Sequence, residues 1–369
     1  MNDRAPIDVF RVHGGRIDRA RAMFGGNDWI DLSTGIAPHN YPFYPGAAAF
    51  TALPDPDALA ELEAAARAAF AAPDGVAVVA VPGSDMALRL IARMFEGRQV
   101  AVVRPGYGGH TAIWPRDRLI EISADDLEEA AATADVLLLA NPNNPDGRVV
   151  EPERLAKLAT TLAERSGWLI VDEAFADIHP VPPRACSGRW QREALTEGQS
   201  DGSANPSTML RMVPLPEQAR GGIANVIRLR SFGKFFGLPG LRLGFVLAPP
   251  AVARTIRSWL GDWPVSGPAI AIGTAAYRDL DWQATQRNRL AKDAARLDAL
   301  IAATRLTSCG TPLFRLIETQ GADALFRHLA AAHILTRPFA DYAHRLRMGL
   351  PGSEDDWARL AHALDAWRG

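Results

Sequence analysis

A lysine surrounded by aromatic residues is the strongest sign of chemistry in this chain. Lys234 lies between Phe232 on one side and Phe235 and Phe236 on the other. Apolar surroundings lower the pKa of an amine because they disfavour its charged form. The neutral amine is the form that attacks a carbonyl group, so Lys234 is a candidate for forming a Schiff base.

Groups near this lysine in the sequence could hold a phosphate. Ser231 supplies a hydroxyl and Arg242 a guanidinium, whose fixed fork of donors matches phosphate oxygens. The turn Pro82–Asp85 precedes a predicted helix, and backbone N–H groups at a helix start form a natural cradle for an anion. Each feature is common by itself, since an isolated Ser-x-x-Lys is most often a surface lysine in a turn. Their combination indicates a phosphate site.

An alternating pattern predicts the elements that position these residues. Short runs of β-branched residues or leucine alternate with stretches of helical period. The runs are Val76–Val81, Val100–Val103, Leu119–Ile122, Val136–Leu139, Trp168–Val171, Val226–Leu229 and Phe245–Leu247. Strands apolar on both faces, with helices between them, predict a large α/β domain whose mostly parallel central sheet is covered by helices. Lys234 then follows the carboxyl end of a strand, where such sheets place their sites.

The two ends of the chain have a different character. Beyond Pro249-Pro250, helical stretches lead into short strands, which predicts a smaller α+β domain. Residues 33–56 contain five prolines and are expected to form an extended arm. Residues 187–222 show no sustained period and are interpreted as a long loop. We therefore expect an N-terminal arm (1–45), a large domain (46–250) and a small C-terminal domain (251–369).

Composition and charge exclude several classes of function. The 369 residues carry 40 Lys+Arg against 42 Asp+Glu, a net charge of -2, which argues against a nucleic-acid binder. Two cysteines are too few for a disulfide framework or a structural zinc site, and we predict no metal site. No apolar run is long enough to cross a membrane, so we expect a cytoplasmic protein without a membrane partner.

Further motifs follow the predicted strands in a recognisable order. They are Pro105–His110 after the second run, Asn141–Gly147 after the fourth, Asp172 after the fifth, and Ser231-x-x-Lys234 with Arg242 after the sixth. In this order the sequence resembles the fold-type I pyridoxal-phosphate enzymes, the aspartate aminotransferase superfamily. The resemblance implies the fold of that superfamily, pyridoxal 5′-phosphate as cofactor and a homodimer as the assembly.

The same resemblance implies roles for individual residues. Lys234 carries the cofactor, Asp172 pairs with its pyridine nitrogen, and Tyr107 stacks on its ring. Asn144 donates a hydrogen bond to its phenolic oxygen, and His110 lies near the ring aspartate. The cofactor phosphate is bound by Gly83, Ser84, Asp85, Ser231 and Arg242. Arg347, on a predicted half-buried strand, binds the α-carboxylate of the substrate.

Within the superfamily, the sequence looks most like the threonine-phosphate decarboxylases of cobalamin biosynthesis. The stretches His13–Gly15, Trp29–Pro38 and Leu346–Gly352 carry this resemblance. It implies a small phosphorylated amino acid as substrate, O-phospho-L-threonine, decarboxylated to (R)-1-amino-2-propanol phosphate, with His13 helping to bind the substrate phosphate. The alternative is an aminotransferase of the histidinol-phosphate type, which shares every cofactor residue. A ligand-sensing regulator is a third hypothesis, and the intact Lys234 and Asp172 count against it.

Three positions depart from the pattern of these relatives, and a fourth, Phe175, departs from many aminotransferases but fits the decarboxylases. Phe175 stands where many aminotransferases have a tyrosine that donates a hydrogen bond to the phenolic oxygen, and phenylalanine has no such donor. Leu53 replaces a tyrosine that reaches the phosphate site of the other subunit. Ala37 replaces an asparagine, and Asp146 a threonine. We expect the chemistry to survive these changes, while phosphate or substrate affinity differs.

Overall fold

Three sheets, of seven, four and two strands, and the helices that cover them make up the described part of the molecule. The computed structural model describes residues 7–178 and 225–368, so the predicted loop 187–222 lies outside it. The strands are β1 (Ile30–Asp31), β2 (Ala77–Val81), β3 (Val100–Val103), β4 (Leu119–Ile122), β5 (Val136–Ala140), β6 (Trp168–Asp172), β7 (Val226–Ser231), β8 (Gly244–Ala248), β9 (Thr307–Thr311), β10 (Phe314–Glu318), β11 (Ile334–Leu335), β12 (Arg337–Pro338) and β13 (Arg345–Gly349). The helices are α1 (Asp8–Val12), α2 (Ile17–Phe24), α3 (Ala48–Thr51), α4 (Pro56–Ala69), α5 (Ser84–Met94), α6 (Gly108–Ala112), α7 (Leu127–Thr133), α8 (Pro152–Ala163), α9 (Phe232–Phe235), α10 (Pro250–Leu260), α11 (Gly267–Arg278), α12 (Leu280–Ala303), α13 (Ala322–Ala331) and α14 (Glu354–Asp365).

The central sheet has the order β2-β8-β7-β6-β5-β3-β4. Its strands are parallel except β8, which runs antiparallel to both β2 and β7. The predicted mostly parallel sheet is therefore confirmed. The expectation that every strand is buried on both faces is wrong for β4, where Ile120 is 38% exposed, because β4 is an edge strand with one neighbour.

Apolar side chains cover both faces of this sheet. On β6, Ile170 packs into one cluster with side chains of α5 and α10, while Leu169 and Val171 pack into another with α7 and α8. This division follows from the alternation of side chains along a strand. It also places the side chain of Asp172 on the face of Ile170, since the two are separated by one residue.

The arm before the central sheet is bonded to the segment that carries Lys234. The backbone N–H of Ala37 donates to the carbonyl oxygen of Lys234 at 2.9 Å, and that of Tyr41 donates to Phe236 at 2.9 Å. The prediction of an extended arm over residues 33–56 is wrong at Ala48–Thr51, which form the short helix α3. The alanines of this stretch favour helix, and no proline interrupts them.

The C-terminal part forms an antiparallel sheet with the order β12-β13-β10-β9. Helices α12, α13 and α14 pack around it, as expected for an α+β unit. The register pairs Arg347 of β13 with Leu316 on one side and Arg337 on the other. Strand β9 was not predicted, because Thr307–Thr311 lacks an apolar run. The domain boundaries remain a prediction.

No helix within residues 7–178 and 225–368 has the length and apolarity needed to cross a membrane.

Candidate active site

A cavity of about 780 Å³ opens beside the carboxyl ends of the parallel strands. Its lining includes all eleven residues to which the sequence assigned a role, namely His13, Gly83, Ser84, Asp85, Tyr107, Asn144, Asp172, Ser231, Lys234, Arg242 and Arg347. Asp172 and Ser231 end β6 and β7, and Tyr107 and Asn144 follow β3 and β5. Parallel strands bring their carboxyl ends to one edge, which explains why residues so distant in sequence meet there. The individual roles remain predictions.

Lys234 is half-buried on the short helix α9, directly after β7. Burial, together with the positive charges of Arg347 and Arg242, lowers the pKa of its amine to about 8, while Asp172 acts in the opposite direction. Its Nζ atom lies 5.8 Å from the centroid of the Phe175 ring. The amine is therefore partly neutral near neutral pH, as a nucleophile toward an aldehyde must be.

Asp172 is held by two donors in the buried interior. Oδ2 lies 2.8 Å from Nε2 of His110, and Oδ1 accepts from the backbone N–H of Ala174 at 3.0 Å. His110 is fully buried, and its other ring nitrogen, Nδ1, has no hydrogen-bond partner in the described structure. The sequence analysis favoured Tyr107 over His110, but the structure places His110 directly against the carboxylate.

Tyr107 is half-buried at the start of α6, with its ring perpendicular to that of His110 and the centroids 5.4 Å apart. Its hydroxyl lies 3.4 Å from Oδ1 of Asp85. Burial and the carboxylates of Asp85 and Asp172 raise the pKa of this hydroxyl, so it stays protonated. The Asp85 side chain also pairs with Arg89 at 3.3 Å. The backbone N–H of Asp85 takes no part in this pair and can bind an anion at the start of α5.

The start of α5 has the form of an anion cradle. Gly83 has φ +90° and precedes the first helical residue, Ser84, with no side-chain cap. A Cβ atom at Gly83 would lie 2.8 Å from Nη2 of Arg242, so the guanidinium lies directly over the glycine. A Cβ at Gly244 would lie 2.7 Å from the backbone nitrogen of Ser84. Both glycines thus keep open the space in which helix N–H groups and a guanidinium converge.

Arg347 is buried and is held by two neutral oxygens. Nη1 donates to Oδ1 of Asn144 at 2.7 Å, and Nη2 donates to the carbonyl oxygen of Ser33 at 2.8 Å. Its Nε is buried and has no hydrogen-bond partner within the described residues. Burial and the nearby Arg337 lower the pKa of Arg347 to about 9, while Asp31 acts in the opposite direction. The Nε–H of this guanidinium therefore lacks an acceptor, and neither of its two hydrogen-bond acceptors carries a negative charge.

Arg337 lines the same cavity and was missed by the sequence analysis. It lies opposite Arg347 in the register of β12 and β13 and donates to the carbonyl oxygens of Phe10, at 3.3 Å, and Val12, at 2.7 Å. These bonds, with the 2.7 Å bond from the N–H of Gly15 to Oγ of Ser33, fix the backbone on both sides of His13. Burial lowers the pKa of Arg337 to about 10. A short strand without a repeated pattern offered no sequence signal for it.

The comparisons with known proteins agree with this geometry. A family model described as "Aminotransferase class I and II" matches residues 47–364. The chain belongs to that family. A threonine-phosphate decarboxylase of Pseudomonas aeruginosa is 38% identical over 361 residues, 95% of this chain and 96% of the relative. One from Sinorhizobium sp is 36% identical over 98% of both chains.

A solved structure of this family shares the fold. The histidinol-phosphate aminotransferase of Sinorhizobium meliloti in complex with pyridoxal-5′-phosphate has a TM-score of 0.68 at 21% identity, covering 98% of this chain and 96% of that chain. The family and fold recognised from the sequence are thereby confirmed, and so is pyridoxal phosphate as the cofactor.

The cavity fits this cofactor on three observations. A buried amine of lowered pKa can meet its aldehyde, a buried carboxylate can meet its ring nitrogen, and an open cradle beneath Arg242 can meet its phosphate. Asn144 uses Oδ1 for Arg347, which leaves its amide N–H for the phenolic oxygen.

The departures from the family pattern have separate structural settings. Asp146 closes a turn, because Oδ1 accepts from Asn143 at 2.8 Å and Oδ2 pairs with Arg148 at 2.8 Å. Ala37 keeps a backbone bond to Lys234 that needs no particular side chain. Leu53 lies 71% exposed at the surface. Neither the Asp146 nor the Ala37 setting involves a side chain that we expect to bind the cofactor or the substrate.

Proposed function

We propose that this protein decarboxylates O-phospho-L-threonine to (R)-1-amino-2-propanol phosphate with pyridoxal phosphate, a reaction of cobalamin biosynthesis. The similarity to two threonine-phosphate decarboxylases over nearly the whole chain supports this reaction. The observation that carries it is the buried guanidinium of Arg347, whose Nε has no partner in the described structure. A buried donor without an acceptor is costly, so this guanidinium is suited to a ligand carboxylate.

Residues of one cavity would hold the cofactor. Lys234 would bind its aldehyde, Asp172 its ring nitrogen and Asn144 its phenolic oxygen, while Tyr107 would pack on its ring. The backbone of Gly83, Ser84 and Asp85, with the side chains of Ser231 and Arg242, would bind its phosphate. When bound, pyridoxal phosphate takes up the substrate amine and accepts the electron pair left on Cα when a bond to Cα breaks.

Arg347 binds the carboxylate of the substrate and thereby directs the bond that joins it to Cα. The bonds to Asn144 and Ser33 fix the guanidinium, and Nε–H with one remaining Nη–H forms a fork for two carboxylate oxygens. Since both present acceptors are neutral, the positive charge is not already paired by them. With the cofactor bound, the direction in which Arg347 holds this bond would decide whether carbon dioxide is lost.

Arg337 and His13 form the second anion site of the cavity. Arg337 lies beside Arg347 across two paired strands, and its guanidinium fixes the backbone before His13. Burial and the positive charge of Arg337 both lower the pKa of Arg347, so the two cations repel each other. A substrate with a carboxylate and a phosphate offsets both charges, which favours a phosphorylated amino acid over a monoanionic one.

Lys234 is the group that moves a proton. Its Nζ amine has a pKa of about 8 in the cofactor-free site, so both protonation states are accessible near neutral pH. The ammonium form can deliver a proton to Cα after carbon dioxide has left. Asp172, oriented by His110, would lie next to the ring nitrogen.

The deciding experiment measures carbon dioxide from O-phospho-L-threonine with and without 2-oxoglutarate. We expect release that is independent of the keto acid. Formation of glutamate without carbon dioxide would establish the aminotransferase and refute the lyase. Borohydride reduction followed by peptide mapping should place the cofactor on Lys234, and Lys234→Ala should carry none.

A homodimer is part of the proposal, as is a cytoplasmic location. Large apolar side chains lie exposed on the arm and near the start of α11, including Tyr44 at 97%, with Phe50, Leu53 and Trp263. A patch of this kind marks an interface, and a second copy of the chain is its expected occupant. Sedimentation at several protein concentrations should give twice the mass of 39.8 kDa. A monomer throughout would refute the dimer.

A further inference from the structure

Two aromatic rings lie between Lys234 and Arg347. The Nζ atom of Lys234 is 5.8 Å from the centroid of Phe175, and Cζ of Arg347 is 5.0 Å from that of Phe314. The two ring centroids are 5.2 Å apart with their planes at 79°. This is the edge-to-face arrangement that aromatic pairs prefer. Each cation therefore has one ring beside it, and the rings contact each other.

The aromatic pair is seated against a glycine of the arm. A Cβ atom at Gly35 would lie 3.0 Å from Cε1 of Phe175 and 3.0 Å from Cδ1 of Phe314, so the backbone touches both rings. The carbonyl oxygen of Ser33, two residues earlier, accepts the bond from Nη2 of Arg347. One short stretch of the arm thus fixes both the guanidinium and the ring beneath it.

An aromatic face suits this guanidinium better than a carboxylate would. The face of a ring carries partial negative charge and attracts a cation, most strongly where water is excluded. Both hydrogen-bond acceptors of Arg347 are neutral, and Phe314 is fully buried. A carboxylate in the place of Phe314 would pair with the guanidinium and compete with the substrate. The ring steadies the cation without occupying its N–H groups.

We propose that Phe314 is a positioning residue for Arg347 and that the Phe175–Phe314 pair, seated on Gly35, holds the guanidinium ready for the substrate carboxylate. The inference rests on the proposed function, because it concerns how that site distinguishes the substrate acid from the amine that remains after decarboxylation. It predicts that losing the ring weakens binding of the acid selectively.

The test compares two ligands that differ by the carboxylate, O-phospho-L-threonine and (R)-1-amino-2-propanol phosphate. Calorimetry on the full-length, cofactor-free chain gives the dissociation constant of each ligand. The constant of the amine divided by that of the acid measures how much the carboxylate contributes to binding. We expect Phe314→Leu to lower this ratio roughly ten-fold. In the holoenzyme the same variant should raise KM for the acid more than it lowers kcat.

Two further variants complete the design. Gly35→Ala removes no core volume and pushes on both rings, so it tests the inference even if Phe314→Leu fails to fold; we expect it to lower the ratio as well. Phe95→Leu is the matched control, a buried phenylalanine that packs against Trp168 and does not line the cavity. It should leave the ratio unchanged.

The outcomes separate the inference from the function on which it rests. A wild-type protein that prefers the acid, with a reduced preference in Phe314→Leu or Gly35→Ala, supports the inference. An undiminished preference in both folded variants overturns the inference alone. A wild-type protein that neither prefers the acid nor releases carbon dioxide from it overturns the proposed function, and the inference with it.

Discussion

Arg347 and Asn144, separated by 203 positions in the sequence, are joined by a 2.7 Å hydrogen bond from Nη1 to Oδ1. Arg347 belongs to β13 of the small sheet, and Asn144 follows β5 of the central sheet. The bond therefore connects the residue proposed to bind the substrate carboxylate with one proposed to bind the cofactor. It makes the orientation of the arginine dependent on the turn Asn141–Gly147.

Removing this amide should impair the use of substrate. A hydrogen bond to a charged group contributes about 1.5–3 kcal/mol, so we expect Asn144→Ala to lower kcat/KM for O-phospho-L-threonine roughly 10- to 100-fold. Asn144→Asp retains an oxygen for Arg347 but adds a carboxylate that competes with that of the substrate, so we expect its KM to stay raised. Steady-state kinetics of both variants make the comparison. Equal KM values for wild type and Asn144→Ala would contradict the proposed coupling.

The contact between His110 and Asp172 should govern retention of the cofactor. Replacing His110 with phenylalanine leaves the buried carboxylate with one donor fewer, a loss of about 1–3 kcal/mol. We expect the dissociation constant for pyridoxal phosphate to rise roughly 5- to 150-fold, measured by fluorescence titration. His328→Phe is the matched control, because His328 contacts a carbonyl oxygen of α14 at 2.7 Å and lies outside the cavity lining. A similar effect of both substitutions would count against a specific role.

Two glycines with a positive φ angle separate phosphate binding from backbone strain. Gly83 and Gly75 have φ of +90° and +81°, but only Gly83 faces Arg242, whereas a Cβ at Gly75 meets nothing within 4 Å. Replacement by alanine should cost each about 1–2 kcal/mol of stability from the left-handed conformation. Only Gly83→Ala should also weaken cofactor binding. Denaturation curves and cofactor titrations of both variants test this, and equal cofactor affinity would remove Gly83 from the cradle.

Lys234 should destabilise the cofactor-free protein below pH 8. The pKa of its amine is about 8 in the folded protein, whereas the ordinary value is 10.5. Between these two pH values the unfolded chain binds more protons than the folded one, so the stability of the fold rises with pH. Lys234→Met removes a buried ammonium and should stabilise the cofactor-free protein by about 3 kcal/mol at pH 7. The gain should shrink at pH 9.5. Chemical denaturation at both pH values measures it; a gain independent of pH would show that the amine does not titrate as proposed.

The local motifs were enough to predict the large sheet and the residues that line the cavity. Apolar runs such as Val136–Leu139 predict strands because burial on both faces leaves no polar position. The rule that parallel strands end at one edge then brings Tyr107, Asn144, Asp172 and Lys234 together without knowledge of side-chain contacts. Strand β9 escaped prediction because its threonines, serine and glycine carry no apolar period.

By itself, the sequence determined which chemical groups the protein possesses and after which strands they stand, because those properties depend on residues close together in the chain. Only the tertiary structure decided which groups meet. Arg337 lies beside Arg347, and Phe314 beneath it, through the pairing register of the small sheet, where a shift of one residue would turn every side chain to the other face. Burial lowers the pKa of Lys234, and this burial exists only because the arm, the central sheet and the helices surround one cavity.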